Sequence, residues 1–280
     1  MPSEDRRAIR AAAQRRKHQR GLAVAAISTL LVLGLVGGLI VSSPGWDSVQ
    51  ETFFSWSAFR DSFPDILSGF WKDVKLFLVV EAIVLVFGLL VALCRVTRVP
   101  SLFPLRLLST IYVDLFRGVP TILVVYLIGF GVPALSVSAL PSDPFVLGGF
   151  ALVLSYGAYV SEVYRAGIES ISPSQRVAAL SLGLTNIQSM RHVVVPQAIS
   201  RVAPPLLNDF IALQKDVALV SILGPLEAFR VAQIAAGENF NYTPLIAAAL
   251  LYFLVTFPMA RLLDRMQARS RRVESMEVPT

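Results

Sequence analysis

The chain has 280 residues, 55% hydrophobic and only 16% charged, with a formal net charge of +6. Soluble domains carry roughly 25% charged residues, so the composition argues against a soluble enzyme, and no soluble segment is long enough to bury a core of its own. The apolar residues are gathered into six blocks near the ~20-residue length that crosses ~30 Å of hydrocarbon, which predicts an all-α polytopic membrane protein of six transmembrane helices.

In chain order, residues 1–21 form a basic tail and residues 22–41 the first span. That span resembles a secretory signal in its basic flank, but the run is too long and lacks a small-x-small site before Ser42. It is therefore expected to be retained. Residues 42–72 form the longest external segment, and Trp46, Phe53, Phe54, Trp56, Phe59, Phe63, Phe70 and Trp71 are expected to settle at the membrane interface. The second span, 74–93, carries Glu81 towards its outer end and is followed by Cys94. A single cysteine excludes an internal disulfide and is read as packing.

The third span, 107–132, holds Asp114 and Arg117, three apart and so on one face. Gly118 and Pro120 follow; proline removes a backbone donor and kinks a helix. The fourth span, 145–163, ends near Glu162 and Arg165, read as a pair that fixes helix packing. The connection 165–201 is predicted to be helical in two pieces, 174–182 and 185–195, broken at Gly183, with Thr185 or Asn186 capping the second. The fifth span, 204–223, carries Asn208, Asp209, Lys215 and Asp216; the sixth is 243–263.

Of the 25 Lys and Arg residues, 19 fall in the N-terminal tail, the second-to-third and fourth-to-fifth connections and the C-terminal tail. Positive charge stays cytoplasmic, so both termini are expected inside. The same residues account for the net charge without a nucleic-acid partner.

The 165–201 connection includes QRVAALSLGLTNIQSMRHVVVPQA, which resembles the EAA loop of ABC-importer permeases. Ala178 and Ala179 match the two alanines of that pattern, Gly183 its glycine, and Val193, Val195 and Pro196 its closing positions. Val177 stands where the family has Glu, which removes a charge from the expected ATPase contact. YVDLFRGVPTILVVYLIGFGVP, SYGAYVSEVYRAGIESISPSQR, PPLLNDFIALQKDVALVSILG and YFLVTFPMARLLDRM resemble the polar amino-acid branch of that family, in matching order.

The resemblance implies a five-helix permease core over residues 66–266, with residues 22–65 as an added span and external segment and 267–280 as a cytoplasmic tail. It further implies a second permease subunit (identical or a sister), a cytoplasmic ATP-binding subunit dimer on the loop, and an external solute-binding protein. The solute implied is a polar amino acid, glutamate or glutamine first and a basic amino acid second. Ala178, Ala179, Gly183 and Pro196 become the coupling positions.

Ionisable groups inside spans are costly and face a cavity or a partner. Glu81, Asp114, Arg117, Asn208, Lys215 and Asp216 are therefore candidate pathway residues; the alternative is that they pair with one another. An amino-acid zwitterion needs an acceptor for its ammonium and a donor for its carboxylate, and both signs are present. Lys215 lies near mid-membrane, where Asp114 or Glu81 is expected to neutralise it across a dimer cavity. There is no phosphate-binding loop, so ATP hydrolysis belongs to another subunit. His18 and His192 make no metal arrangement, and no catalytic constellation or cofactor is expected. An ion-coupled carrier working alone explains the buried charges but leaves the helical loop idle.

Overall fold

A computed structural model of the chain describes residues 2–97 and 99–277, with side chains at 19–97, 99–175, 177–185 and 187–268. The basic side chains before residue 19, Arg98, the side chains of Arg176 and Asn186, and those beyond 268 lie outside the described residues. Every described element is helical.

Two units divide the chain, Met1–Ser55 and Trp56–Thr280. The first contains α1 (Pro2–Val41) and the short α2 (Trp46–Phe53). Within α1 the apolar stretch Gln19–Val41 is long enough to cross a membrane and buries none of its surface inside the chain. A helix apolar all round is stable only in an apolar surrounding.

The second unit begins with α3 (Trp56–Val96), 41 residues or about 62 Å at 1.5 Å per residue. The helix thus begins 18 residues before Val74, where the predicted second span starts, and carries Trp56, Phe59, Phe63, Phe70 and Trp71 of the predicted external segment. Phe59, Phe63, Ile66 and Phe70 recur at helical spacing and pack against Ala232 of α10 (Ala228–Asn239) and Leu251 of α11 (Thr243–Glu277). Trp56 extends the same face, stacked on Phe59 at 5.6 Å, but stays exposed, as does Trp71.

The third predicted span is broken at Pro120, where the sequence placed a kink. α4 (Phe103–Gly118) and α5 (Thr121–Ala134) meet at 107°. Val119 is extended because the residue before a proline is driven out of the helical region. Pro120 then begins the new direction from the Ncap position of α5.

α6 (Pro144–Glu169) is the central helix, started by Asp143, whose carboxylate accepts from the Val146 N–H at 3.0 Å. It packs against α3 at backbone distance. A Cβ at Gly88 would lie 2.7 Å from Val160 Cγ1, closer than real contacts allow. Around this seam Phe77, Val80 and Val84 of α3, Val125 of α5, Leu152 of α6 and Leu213 of α9 (Val195–Asp216) form the main core.

α7 (Pro173–Ser181), α8 (Asn186–Ser189) and a π turn at Met190–Val194 lead into α9, which contains Pro204 and Pro205. The chain continues as a 3₁₀ stretch, Val217–Leu223, turns at Gly224 (φ +100°), and re-enters as α10 at 54°. The sequence reading began the fifth span at Pro204 and left α10 as loop; the helix instead starts nine residues earlier and a further helix follows it. Among the described residues four stretches are long and apolar enough to cross a membrane, and six if each bent pair is one span.

Candidate solute pathway and coupling loop

The predicted pathway residues fall into three places. Glu81 is buried on α3, and the Asp209 carboxyl on α9 acts on it electrostatically. Phe77 and Phe210 cross edge-to-face at 4.6 Å beside them and fix the approach of the two helices. One turn-pair on, Tyr156 of α6 donates its hydroxyl to Asp216 Oδ2 at 2.9 Å. Asp209 Oδ2 is buried with no hydrogen-bond partner among the described residues. Glu81, Asp209 and Asp216 therefore form an acidic strip with the Tyr156 hydroxyl at its side, suited to accept from an ammonium.

Asn208 and Lys215, seven residues and two turns apart, share a different face of α9, and both are exposed. Lys215 makes no ion pair among the described residues. Within one chain it pairs with neither Glu81 of α3 nor Asp114 of α4.

Asp114 and Arg117 share a face of α4 but do not pair. Arg117 is instead drawn to Glu162 of α6, at 3.8 Å. Glu162 also takes Arg95 of α3 at 2.7 Å and two donors from Arg165, which further bonds Glu169. The expected Glu162–Arg165 pair is thus present within a larger cluster. One carboxylate ties the ends of α3, α4 and α6, and charge-assisted bonds of this kind are the strong ones.

The predicted loop has the geometry of an exposed knuckle. α7 closes with the Leu184 N–H on the Ala179 carbonyl at 3.2 Å and the Gly183 N–H on that of Leu180 at 3.0 Å. This paired closure needs a left-handed residue, and Gly183 supplies it at φ +83°. Thr185 and Gln188 then cap each other: the Gln188 N–H donates to Thr185 Oγ1 at 3.2 Å and the Thr185 N–H to Gln188 Oε1 at 2.9 Å.

Ala179 faces inward while Ala178 and Val177 face out; Pro196 opens α9 and is exposed. Leu182 and Ile187 are 84% and 80% exposed on either side of Gly183. The knuckle is fixed to the spans by Ile171, Val194 and Ala198, by Arg201 donating to the Ser170 carbonyl, and by the close approach of Gly167 to Val202.

One buried group was missed from the sequence. Tyr252 of α11 donates to Asp73 Oδ2 at 2.7 Å and lies 3.5 Å from Glu227 Oε2. Glu227 caps α10 by accepting from Phe229 N at 2.8 Å and Arg230 N at 2.5 Å. An acidic residue shortly after Pro225 and before a helical run was the available signal for the cap; the Asp73 contact spans too much sequence to be read locally.

Residues 84–272 match the family described as binding-protein-dependent transport system inner membrane component. The chain belongs to that family. It is a membrane permease subunit, and this decides against the ion-coupled carrier. It is 35% identical over 191 residues to a Rickettsia typhi protein named as the permease GlnP of a glutamine transport system, covering 68% of this chain and 85% of that protein. It is 34% identical over 200 residues to the arginine transport system permease protein ArtQ of Bacillus subtilis, covering 71% and 89%. A solved structure, of an amino acid ABC transporter with histidines, superposes with a TM-score of 0.68 at 32% identity, covering 77% of this permease and 98% of that chain.

Proposed function

We propose that this amino-acid ABC permease pairs with a second permease subunit and works with two cytoplasmic ATP-binding subunits docked on the Leu182–Gly183–Ile187 knuckle. An external solute-binding protein delivers the solute. The observation that supports docking there is two large apolar side chains held in the open by a closed, capped turn that is anchored to α6 and α9. Exposed apolar groups on a rigid element suit a protein partner. On this reading both termini lie in the cytoplasm of a plasma-membrane protein, which the charge asymmetry supports.

Glutamine is the first reading of the solute, since its ammonium suits the Glu81–Asp209–Asp216 strip and its side chain adds no negative charge. A basic amino acid is the second, favoured by the same three carboxyls. Co-purification with an ATP-binding subunit, followed by competitive uptake in vesicles, tests the partners and both solute readings. A permease that isolates alone and shows no ATP-dependent uptake would overturn the assignment of partners.

A further inference from the structure

We propose that the groove between α3 and α6 is a binding site for one anionic phospholipid, with its phosphate at Lys72 and Lys75 and an acyl chain along the apolar wall. The groove has a volume of about 800 Å³, within the ~300–1,000 Å³ range of small-molecule sites. Leu76, Ile83 and Phe87 of α3 form one wall and Phe145, Phe150 and Val153 of α6 the other, with the two lysines at one end.

The two helices run in the same direction, because Gly149 faces Leu76 while Gly157 faces Phe87. The cationic end is therefore the start of both. Gly149 keeps the floor low: a Cβ there would sit 3.1 Å from Leu76 Cδ1.

The charge at that end is available. Lys72 Nζ donates once, to the Leu226 carbonyl at 2.9 Å, and Lys75 lies 5.8 Å over the Trp71 ring. An ammonium carries three donors, so N–H groups remain on both exposed lysines. The adjacent Asp73 is buried and bonded to Tyr252 and the Ala228 N–H; it acts on Lys72 electrostatically but makes no ion pair with it, so Lys75 is the freer of the two charges. Lys75 makes no ion pair among the described residues.

The dimensions match one leaflet. From Lys75 to Phe87 α3 rises about 18 Å at 1.5 Å per residue, against ~15 Å for half of a ~30 Å core. A chain anchored by its phosphate at the lysines would fill the groove and stop near mid-membrane. Lysines that only anchor a helix can snorkel over any surface; they need no concave apolar wall beneath them. On the orientation proposed above this is the outer leaflet, and only that leaflet assignment depends on it.

The test uses the assembled transporter purified from membranes, with phosphatidylglycerol and phosphatidylethanolamine offered in equal amounts and retention read by native mass spectrometry. Wild type should keep one phosphatidylglycerol per permease chain. Lys72→Gln with Lys75→Gln should weaken its retention about thirty-fold relative to wild type. Val79→Trp, which fills the groove from an exposed wall position and keeps both lysines, should exclude either lipid. Phosphatidylglycerol with a photoreactive acyl chain should label peptides of α3 and α6. Equal retention of the two lipids, retention unchanged in both variants, label on other helices, or a groove that holds no lipid would each overturn the proposal.

Discussion

Replacing Gly183 tests the coupling assignment at a single backbone angle. Its φ is +83° and nothing lies within 4 Å of an added Cβ, so the substitution introduces strain without a clash. An L-residue in that region costs roughly 1–2 kcal/mol, or about 5- to 30-fold in the population of the closed turn. Gly183→Ala should lower ATPase-subunit co-purification and solute-stimulated ATP hydrolysis by that factor while membrane insertion stays normal. Asn enters the left-handed region more readily than other side chains, so Gly183→Asn should fall between wild type and Ala, and the β-branched Gly183→Val should be worst. Full coupling in Gly183→Val would refute the reasoning, since the closure of α7 runs through that one left-handed angle.

Glu162→Gln keeps the side-chain shape but removes the charge shared by Arg95, Arg117 and Arg165; it should cost about 2 kcal/mol, seen as a lower unfolding temperature in detergent, and unchanged melting would count against the cluster as a helix tie. Lys215→Met should abolish uptake and solute-stimulated ATP hydrolysis while the complex still assembles, because Lys215 is exposed rather than packed; loss of assembly would assign it to packing instead. Gly88→Leu forces a side chain into Val160 and the Ser161 backbone, so it should destabilise the α3–α6 seam by about 1–3 kcal/mol, and wild-type expression and melting would show that the seam yields.

Local chemistry was legible where it acts within one or two turns. Gly183, the Thr185 cap and the Glu162–Arg165 pair were all readable because each interaction closes within five residues. Pro120 announced a break, but its 107° angle depends on how α5 lies against α6, which no local pattern encodes. The aromatics before Val74 were read by composition as interfacial, although Phe59, Phe63 and Phe70 also carry a helical period that packing used. Arg117 turned from a same-helix neighbour three residues away to Glu162, 45 residues on, where two other guanidiniums already converge. Tyr252 meets Asp73 across 179 positions, beyond the reach of any periodicity argument.

The Pro204–Pro205 pair in α9 has a mechanical consequence. Two missing N–H groups leave the Ser200 and Arg201 carbonyls without their usual donors, so the helix is softest between the end that carries Pro196 and the end that carries Lys215. Taken as a lever with its joint at Pro204, α9 has arms of about 12 Å and 16 Å. A sideways push delivered to the knuckle end is therefore taken up first as bending at Pro204, and the arm that carries Lys215 can hold its place while the other swings.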